Sequence, residues 1–388
     1  MQRWQSNSLR FGIICNKKYS DQEDRRKFVK KRWLILLASI ILLLGACSSK
    51  DKESTGGIDD KVNKDNPSGD LAPLEKKVKV IIAEDGAASG AGFYIAKEKG
   101  YFEEYNIEVE FAQFANSDEM LPALASGDVD IAGGVSTASF FNAIAQGIDV
   151  KIIADKGHNV EGKSYFSFVI GNQMKDEIKE YKDFKGKRIA ISSKNSIDEY
   201  IFLEMLKHAG LTPDDVEFVL LGDFGSMLGA IENGSVDAAL QIEPLIAQGI
   251  ENGFHTRFGD TTDYAPESQI AMVLGSPKFM NEEKNVSLRF MAAYLKGVRD
   301  YNDAFIKGEG KEEVIDIMTK HTSLKDPALW EKVFVTGLDP NGKMFLDDVT
   351  KQYDVYKANG AISGDVDFDK AVDTSITEKA VEILGEYK

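Results

Sequence analysis

Ala123-Leu-Ala-Ser-Gly127-Asp-Val129-Asp130-Ile-Ala132 returns later in the chain as Ala230-Ile-Glu-Asn-Gly234-Ser-Val236-Asp237-Ala-Ala239, with Ala, Gly, Val, Asp and Ala in the same places. Each copy closes a helical pattern at a Gly and enters a short apolar strand. Gly suits that corner because helices commonly end on a left-handed residue, which Gly adopts without steric penalty. Gly127 and Gly234 lie 107 positions apart, too far for a solenoid repeat and about the length of one α/β lobe. The expectation is two lobes built alike, facing one another across a site.

The elements around the two phrases repeat in the same order. Lys79–Ala83 reads as a buried parallel strand, and a helix over Gly92–Gly100 follows it. Ile107–Phe111 alternates in period two, as a strand does. Asn116 with Glu119 forms the cap of the next helix, which runs into the first phrase. A helix at Ser139–Ala145 and strands at Val150–Ala154 and Tyr165–Ile170 complete a doubly wound first lobe. The second lobe opens after Asp183-Phe-Lys-Gly-Lys, with strand Arg188–Ser192, helix Ser196–Ala209, strand Val216–Leu221, the second phrase and a helix at Leu245–Glu251. Strand Gln269–Leu274 returns to lobe one. The helical text that follows carries Leu288, Met291, Leu295 and Val298 on one face and is expected to pack on that lobe. Lobe one thus takes 77–175 and 263–388, lobe two takes 176–262, and two connections between them make a hinge.

The first 76 residues belong to neither lobe. Lys27, Lys30, Lys31 and Arg32 precede an apolar run from Trp33 to Ala46, which is too short to span a bilayer core of about 20 residues. A basic segment, a short apolar segment and small residues before a cut describe a secretory signal over residues 1–46. The text ahead of Lys27 is unusual for such a signal, so translation is expected to start at Val29, leaving residues 1–28 untranslated. Ser48 to about Lys76 is polar and low in apolar residues, a tether that cannot bury enough surface to order itself.

The 388 residues carry a formal charge of −16; without 1–46 the remainder holds 37 basic and 60 acidic residues, a charge of −23. An acidic chain of this kind has no electrostatic footprint for nucleic acid. Cys15 and Cys47 are the only cysteines, and His158, His208, His255 and His321 lie far apart. Neither a disulfide framework nor a Cys- or His-based metal site is expected, and no cofactor is called for.

In open α/β sheets ligands sit beyond the carboxyl ends of the strands. That rule selects Glu84, Asp85, Ser89, Gly134, Ser136, Thr137 and His158 in lobe one. In lobe two it selects Ser193, Asn195, Ser196, Phe224, Gln241 and Glu243. Gly86–Ser89, Ser136–Thr137 and Asn195–Ser196 feed helix starts, whose free N–H groups favour anions. Ser196-Ile-Asp-Glu199 is also a capping-box pattern, so Ser196 serves as cap, contact or both. Glu84, Asp85, Asp223 and Glu243 favour a cationic or N–H-bearing ligand if they point inward. Glu84 and Asp85, adjacent on an extended segment, face opposite ways and make a poor acid/base pair.

Leu44-Gly45-Ala46-Cys47 resembles the bacterial lipobox, which implies an acylated Cys47 as the mature N-terminus. Gly92-Phe-Tyr-Ile-Ala-Lys-Glu-Lys-Gly-Tyr-Phe102 with Ile107-Glu-Val-Glu, the phrase at 123–132, Asp183-Phe-Lys-Gly-Lys-Arg-Ile-Ala190 and Glu243-Pro244 together resemble one family, over about residues 77–275. It is the nitrate/sulfonate/taurine and thiamine-precursor group of ABC-transporter substrate-binding proteins. The resemblance implies a type II periplasmic-binding fold: a monomeric, non-catalytic lipoprotein held outside the membrane by lipid on Cys47. It would clamp a small sulfonate-, nitrate- or taurine-like solute and pass it to an ABC permease and its ATPase. Two other readings stay open, a binder of a thiamine pyrimidine precursor and a solute-sensing subunit of a signalling receptor. The family also includes a pyrimidine-synthesising enzyme, which carries a cysteine cluster that this chain lacks after Cys47. Thiamine-precursor binders commonly carry an aromatic where this chain has Glu84; Phe224 or Tyr165 would have to replace it.

Overall fold

The computed structural model describes residues 71–388; the signal, Cys47 and nearly all of the tether lie outside them. Among the described residues, ten strands form two five-stranded sheets. The first holds β1 (Val78–Glu84), β2 (Ile107–Gln113), β3 (Ile131–Val135), β4 (Lys151–His158) and β10 (Gln269–Gly275), in the order β2-β1-β3-β10-β4. The second holds β5 (Phe166–Gly171), β6 (Arg188–Ile191), β7 (Glu217–Leu220), β8 (Ala238–Ile242) and β9 (His255–Asp260), in the order β7-β6-β8-β5-β9. The two orders are the same pattern written twice, with β10 and β5 each the inserted antiparallel strand.

The repeated phrase performs the same work in both lobes. Gly127 and Gly234 have φ of 78° and 72°, the left-handed corner that Gly supplies. Ile82 and Ala83 pair with Ile131 and Ala132; 107 residues on, Ile189 and Ala190 pair with Ala238 and Ala239. The aspartates are the third shared device. The Ile81 amide donates to Asp130 Oδ2 at 2.8 Å, and the Arg188 amide donates to Asp237 Oδ2 at 2.8 Å.

The chain passes between the sheets twice, after β4 and after β9. The first passage differs from the sequence expectation. The strand at 165–170 pairs with β8 and β9 and so belongs to the second sheet, not to lobe one. All six residues of β5 are buried, so no polar face in its sequence tells which sheet it joins. The edge strand β9, His255-Thr-Arg-Phe-Gly-Asp260, was not expected at all; its polar text hides a strand.

The C-terminal helices pack on lobe one as expected. Helix Lys284–Asn302 lies against helix Ala91–Glu98 so closely that a methyl on Gly297 would overlap the Gly92 carbonyl. They also reach lobe two: the Tyr200 hydroxyl meets Asp348 of helix Leu346–Ala358 at 3.4 Å. Among the described residues, no helix is long and apolar enough to cross a membrane.

Candidate functional site

A cavity of about 270 Å³ opens between the carboxyl ends of the two sheets. Lobe one contributes Asp85 after β1, Ala115–Glu119 at a helix start, Val135 at the end of β3 and Thr137 beyond it. Lobe two contributes Ser192 and Ser193 after β6 and Gly222-Asp223-Phe224 after β7. A wider space of about 590 Å³ adjoins it and shares Asp85, Ala115, Asp223 and Phe224; Gly86, Phe114, Pro244 and His321 are among its walls.

Three helices that start at this cavity are closed by their own side chains. Asn116 Oδ1 accepts from the Glu119 amide at 3.1 Å, Thr137 Oγ1 from the Phe140 amide at 3.2 Å, and Asp223 Oδ1 from the Ser226 amide at 2.8 Å. Such caps satisfy donors that would otherwise receive an anion. The Asn116 cap is the one expected. Ser196 is a correction: it stands at the N-cap position but makes no capping bond. Its hydroxyl donates to the Ser193 carbonyl at 2.7 Å and bonds Asp198, while Glu199 accepts from the Asn195 amide. Asp198, two residues on, captures the Ser192 amide at 2.6 Å, which draws the serine into that loop instead.

Beneath the cavity lies a buried polar network. Glu84, at the end of β1, pairs with Lys156 of β4 at 3.2 Å and accepts from the Tyr94 hydroxyl at 3.2 Å. Lys156 Nζ also donates to Ser89 Oγ at 3.1 Å, and that hydroxyl meets the Tyr165 hydroxyl at 3.4 Å. Glu84 and Lys156 are both fully buried. The pair meets over β3 and β10, the two strands between β1 and β4, because residue 133 is Gly; a side chain there would overlap both. Burial pushes the Glu84 carboxyl up to about 7, Lys156 drawing it back only in part. Burial also opposes charge on Lys156, but Glu84 and Asp85 outweigh it and hold the ammonium above its ordinary range. Burial pushes the Tyr165 hydroxyl up to about 12.

The residues singled out in the sequence divide into three groups. Asp85, Thr137, Ser193 and Phe224 stand on the cavity wall. Ser136, Asn195 and Ser196 form a seam joining the lobes: Ala138 donates to the Asn195 carbonyl at 2.9 Å, Ile197 to the Ser136 carbonyl at 3.2 Å, and Thr137 bridges to Ser196.

The remainder stand behind the wall. Glu84 and Ser89 belong to the buried network. Gly134 packs on Leu274 and Ser117. Gln241 is wholly buried, its amide donating to the Phe224 carbonyl at 2.7 Å and its oxygen accepting from the Ile242 amide at 3.1 Å, so it holds the loop that carries Phe224. Glu243 accepts from the amides of Phe334 at 2.9 Å and Ala247 at 3.2 Å, and burial pushes its carboxyl up to about 7. His158 is the clearest departure from a ligand role. Its ring sits against Phe345 and 3.1 Å from Asp155, and its backbone pairs with Gly337. Burial opposes its charge, but Asp155 outweighs burial and holds the imidazole above its ordinary value.

Several residues on or beneath the cavity wall carry no clear signal in the sequence. Lys156, beneath it, falls in a strand longer than its apolar text, and Asp118 and Glu119, on the wall, look like ordinary acidic first-turn residues. His321 arrives from a C-terminal helix with no sequence link to either lobe.

Two lobes of the same strand order, joined by two crossings and enclosing a cavity at their carboxyl edges, are the architecture of periplasmic-binding proteins. The chain belongs to the NMT1/THI5-like family, whose model matches residues 88–303. The ligand-binding component of an ABC-type import system from Staphylococcus aureus is similar in structure, with a TM-score of 0.64 and 17% identity over 78% of this chain and 99% of that one. The nitrate-binding protein NrtA of Synechocystis gives a TM-score of 0.65 and 16% identity over 80% and 89%. The alkanesulfonate-binding protein SsuA of Xanthomonas axonopodis gives 0.61 and 17% over 77% and 99%. In sequence, the chain is 25% identical over 190 residues to a 4-amino-5-hydroxymethyl-2-methylpyrimidine phosphate synthase of Candida albicans, a match spanning 48% of this chain and about half, 52%, of the synthase. It is 24% identical over 276 residues to a putative binding protein of Brucella abortus, covering 70% and 79%.

Proposed function

We propose that this protein is an extracytoplasmic solute receptor. It closes its two lobes over a small molecule and presents it to an ABC permease and its ATPase, without chemical change. One observation carries the reading: a cavity of about 270 Å³ walled by loops from both lobes, Asp85 and Thr137 on one side and Ser193 and Phe224 on the other. Two crossings between the lobes allow closure to be gated by a hinge. The Staphylococcus and Synechocystis neighbours, described as an import component and a nitrate-binding protein, support the transport role. Acylation of Cys47 would hold the receptor at the membrane by its polar tether.

The sulfonate, nitrate and taurine class suggested by the sequence finds uneven support. The cavity wall presents carboxylates and capped helix starts, which receive an ammonium such as that of taurine better than a bare anion. The Candida synthase keeps a second reading in view, recognition of an aminopyrimidine, whose N–H groups also suit carboxylates. Thermal unfolding of the purified protein with each solute tests the receptor role. A ligand that binds only the native state stabilises it by about 2.7 kcal/mol at one hundred times its dissociation constant. Recovery of the solute chemically unchanged after incubation separates a receptor from an enzyme. Conversion of a pyrimidine or its precursor, or the absence of any shift across the panel, defeats the proposal. Loss of membrane association in Cys47→Ala tests the anchor.

A further inference from the structure

We propose that the solute held in this cleft is an organic cation, with a flat or aromatic body lying along Phe224 and Phe114. The proposal rests on the receptor reading above and names the class of solute for the same cavity.

The two adjoining spaces are walled by four carboxylates contributed by both lobes: Asp85, Asp118 and Glu119 from lobe one and Asp223 from lobe two. Among the described residues, none of the four has a lysine or arginine within ion-pairing distance. Each is instead held in place by a local donor. Asp85 Oδ1 accepts from the Ala87 amide at 3.1 Å and Asp118 Oδ1 from the Thr137 hydroxyl at 2.9 Å. Glu119 Oε2 accepts from the Ala115 amide at 3.4 Å, and Asp223 from the amide and hydroxyl of Ser226. The second oxygen of Asp85, Asp118 and Glu119 takes no protein donor among the described residues. The carboxylates are therefore positioned without a direct ion pair, Asp85 alone sharing the field of the buried Lys156 ammonium, and closure of the lobes gathers like charges around one volume. Such closure favours a ligand that brings positive charge with it.

Several groups that would receive an anion are occupied, while the helix start fed by Gly86 and Ala87 carries no side-chain cap. Three helix starts at the cavity are capped by Asn116, Thr137 and Asp223. Lys156 lies below the wall, fully buried and held by Glu84 and Ser89. His321, the one imidazole on the wider wall, is bonded to Glu98 at 2.8 Å and stacked on Tyr94. Phe224 and Phe114 offer the apolar faces against which a delocalised cation is favourable.

Isothermal titration of the full chain in detergent solution distinguishes the classes. The cationic probes are benzamidine, phenethylamine and choline; the anionic probes are benzenesulfonate, ethanesulfonate and nitrate; benzamide is the neutral match. At least one cation is expected to bind ten times or more tightly than benzamide, with affinity falling as salt rises. Asp85→Asn and Asp223→Asn should each weaken that cation about tenfold, because each removes the charge while keeping an oxygen for the local donor. Binding by anions alone, abolished by Phe224→Ala, overturns the cation and leaves the receptor standing. Cation binding that ignores both Asn substitutions also overturns the proposal. Silence from every probe overturns the proposal and counts against the receptor reading with it.

Discussion

Asp130 Oδ2 receives the amide of Ile81 at 2.8 Å, tying the end of the first repeated phrase to the middle of β1. Asp237 receives the amide of Arg188 in the second lobe at the same distance and adds contacts to the guanidinium at 2.7 and 3.2 Å. The aspartate recurs because a helix-to-strand corner ending on Gly leaves a strand N–H that only a short acceptor at this position can reach. Asp130→Ala should therefore cost about 1–2 kcal/mol, the penalty of stranding a half-buried donor. Asp237→Ala should cost at least as much, since the guanidinium also loses a partner. Urea unfolding of each variant checks this; two near-neutral substitutions would mean the phrase repeats for another reason.

The twin corners were legible because their constraint is local. A left-handed Gly, a strand-capping Asp and a buried Val at fixed spacing leave the same trace wherever they occur. The assignment of β5 to a lobe was not legible, because its pairing is decided by β8 and β9, which lie about 70 or more residues away in the chain. The site divides in the same way. The rule of strand ends selects Asp85, Thr137, Ser193 and Phe224, and these four stand on the cavity wall. It could not tell a side chain on the wall from one turned beneath it, such as Gln241 or Glu243. For Glu243 that difference depends on the C-terminal segment, whose Phe334 amide claims it, and for Gln241 on the Phe224 carbonyl. His158 was misplaced for the same cause: Gly337 and Phe345 cover it.

Gly133 and Gly134 separate two uses of glycine. A methyl at 133 would overlap the Glu84 carboxylate and the Lys156 stem, whereas one at 134 would lie 3.3 Å from a Leu274 methyl. Gly133→Ala should destabilise by about 2–3 kcal/mol, because it must separate a buried ion pair. Gly134→Ala should cost under about 1 kcal/mol, a small shift of one flexible side chain. Equal effects in a denaturant series would show that the pair is not held over β3 and β10 as described.

Glu243 gives the fold a dependence on pH. Its carboxyl is pushed up to about 7 against an ordinary 4.5, so the native state binds a proton that the unfolded chain has released. Its contribution is fully present below the unfolded value and is lost as pH rises through the folded one. Two and a half pH units correspond to about 3 kcal/mol as an upper bound. Melting temperature followed from pH 4.5 to 8 should fall less steeply in Glu243→Gln than in the native protein. Parallel profiles would show that Glu243 is charged throughout.

Lys156 and Glu84 should behave as one unit. Lys156→Met leaves a carboxyl with no counter-charge in a fully buried place, and that carboxyl is already raised to about 7. Without the ammonium it is raised further, so the native state holds a proton that the unfolded chain releases, and the cost of holding it grows from pH 6 to pH 8. The substitution should cost about 3–5 kcal/mol at pH 8 and clearly less at pH 6. Adding Glu84→Gln removes the carboxyl and should recover much of the loss at pH 8, giving a coupling energy well above that of independent sites. Unfolding free energies for the two single variants and the double variant at both pH values decide it. Additivity at pH 8 would mean that the 3.2 Å contact is incidental. The network beneath the cleft would then have to be held by Tyr94, Ser89 and Tyr165 alone.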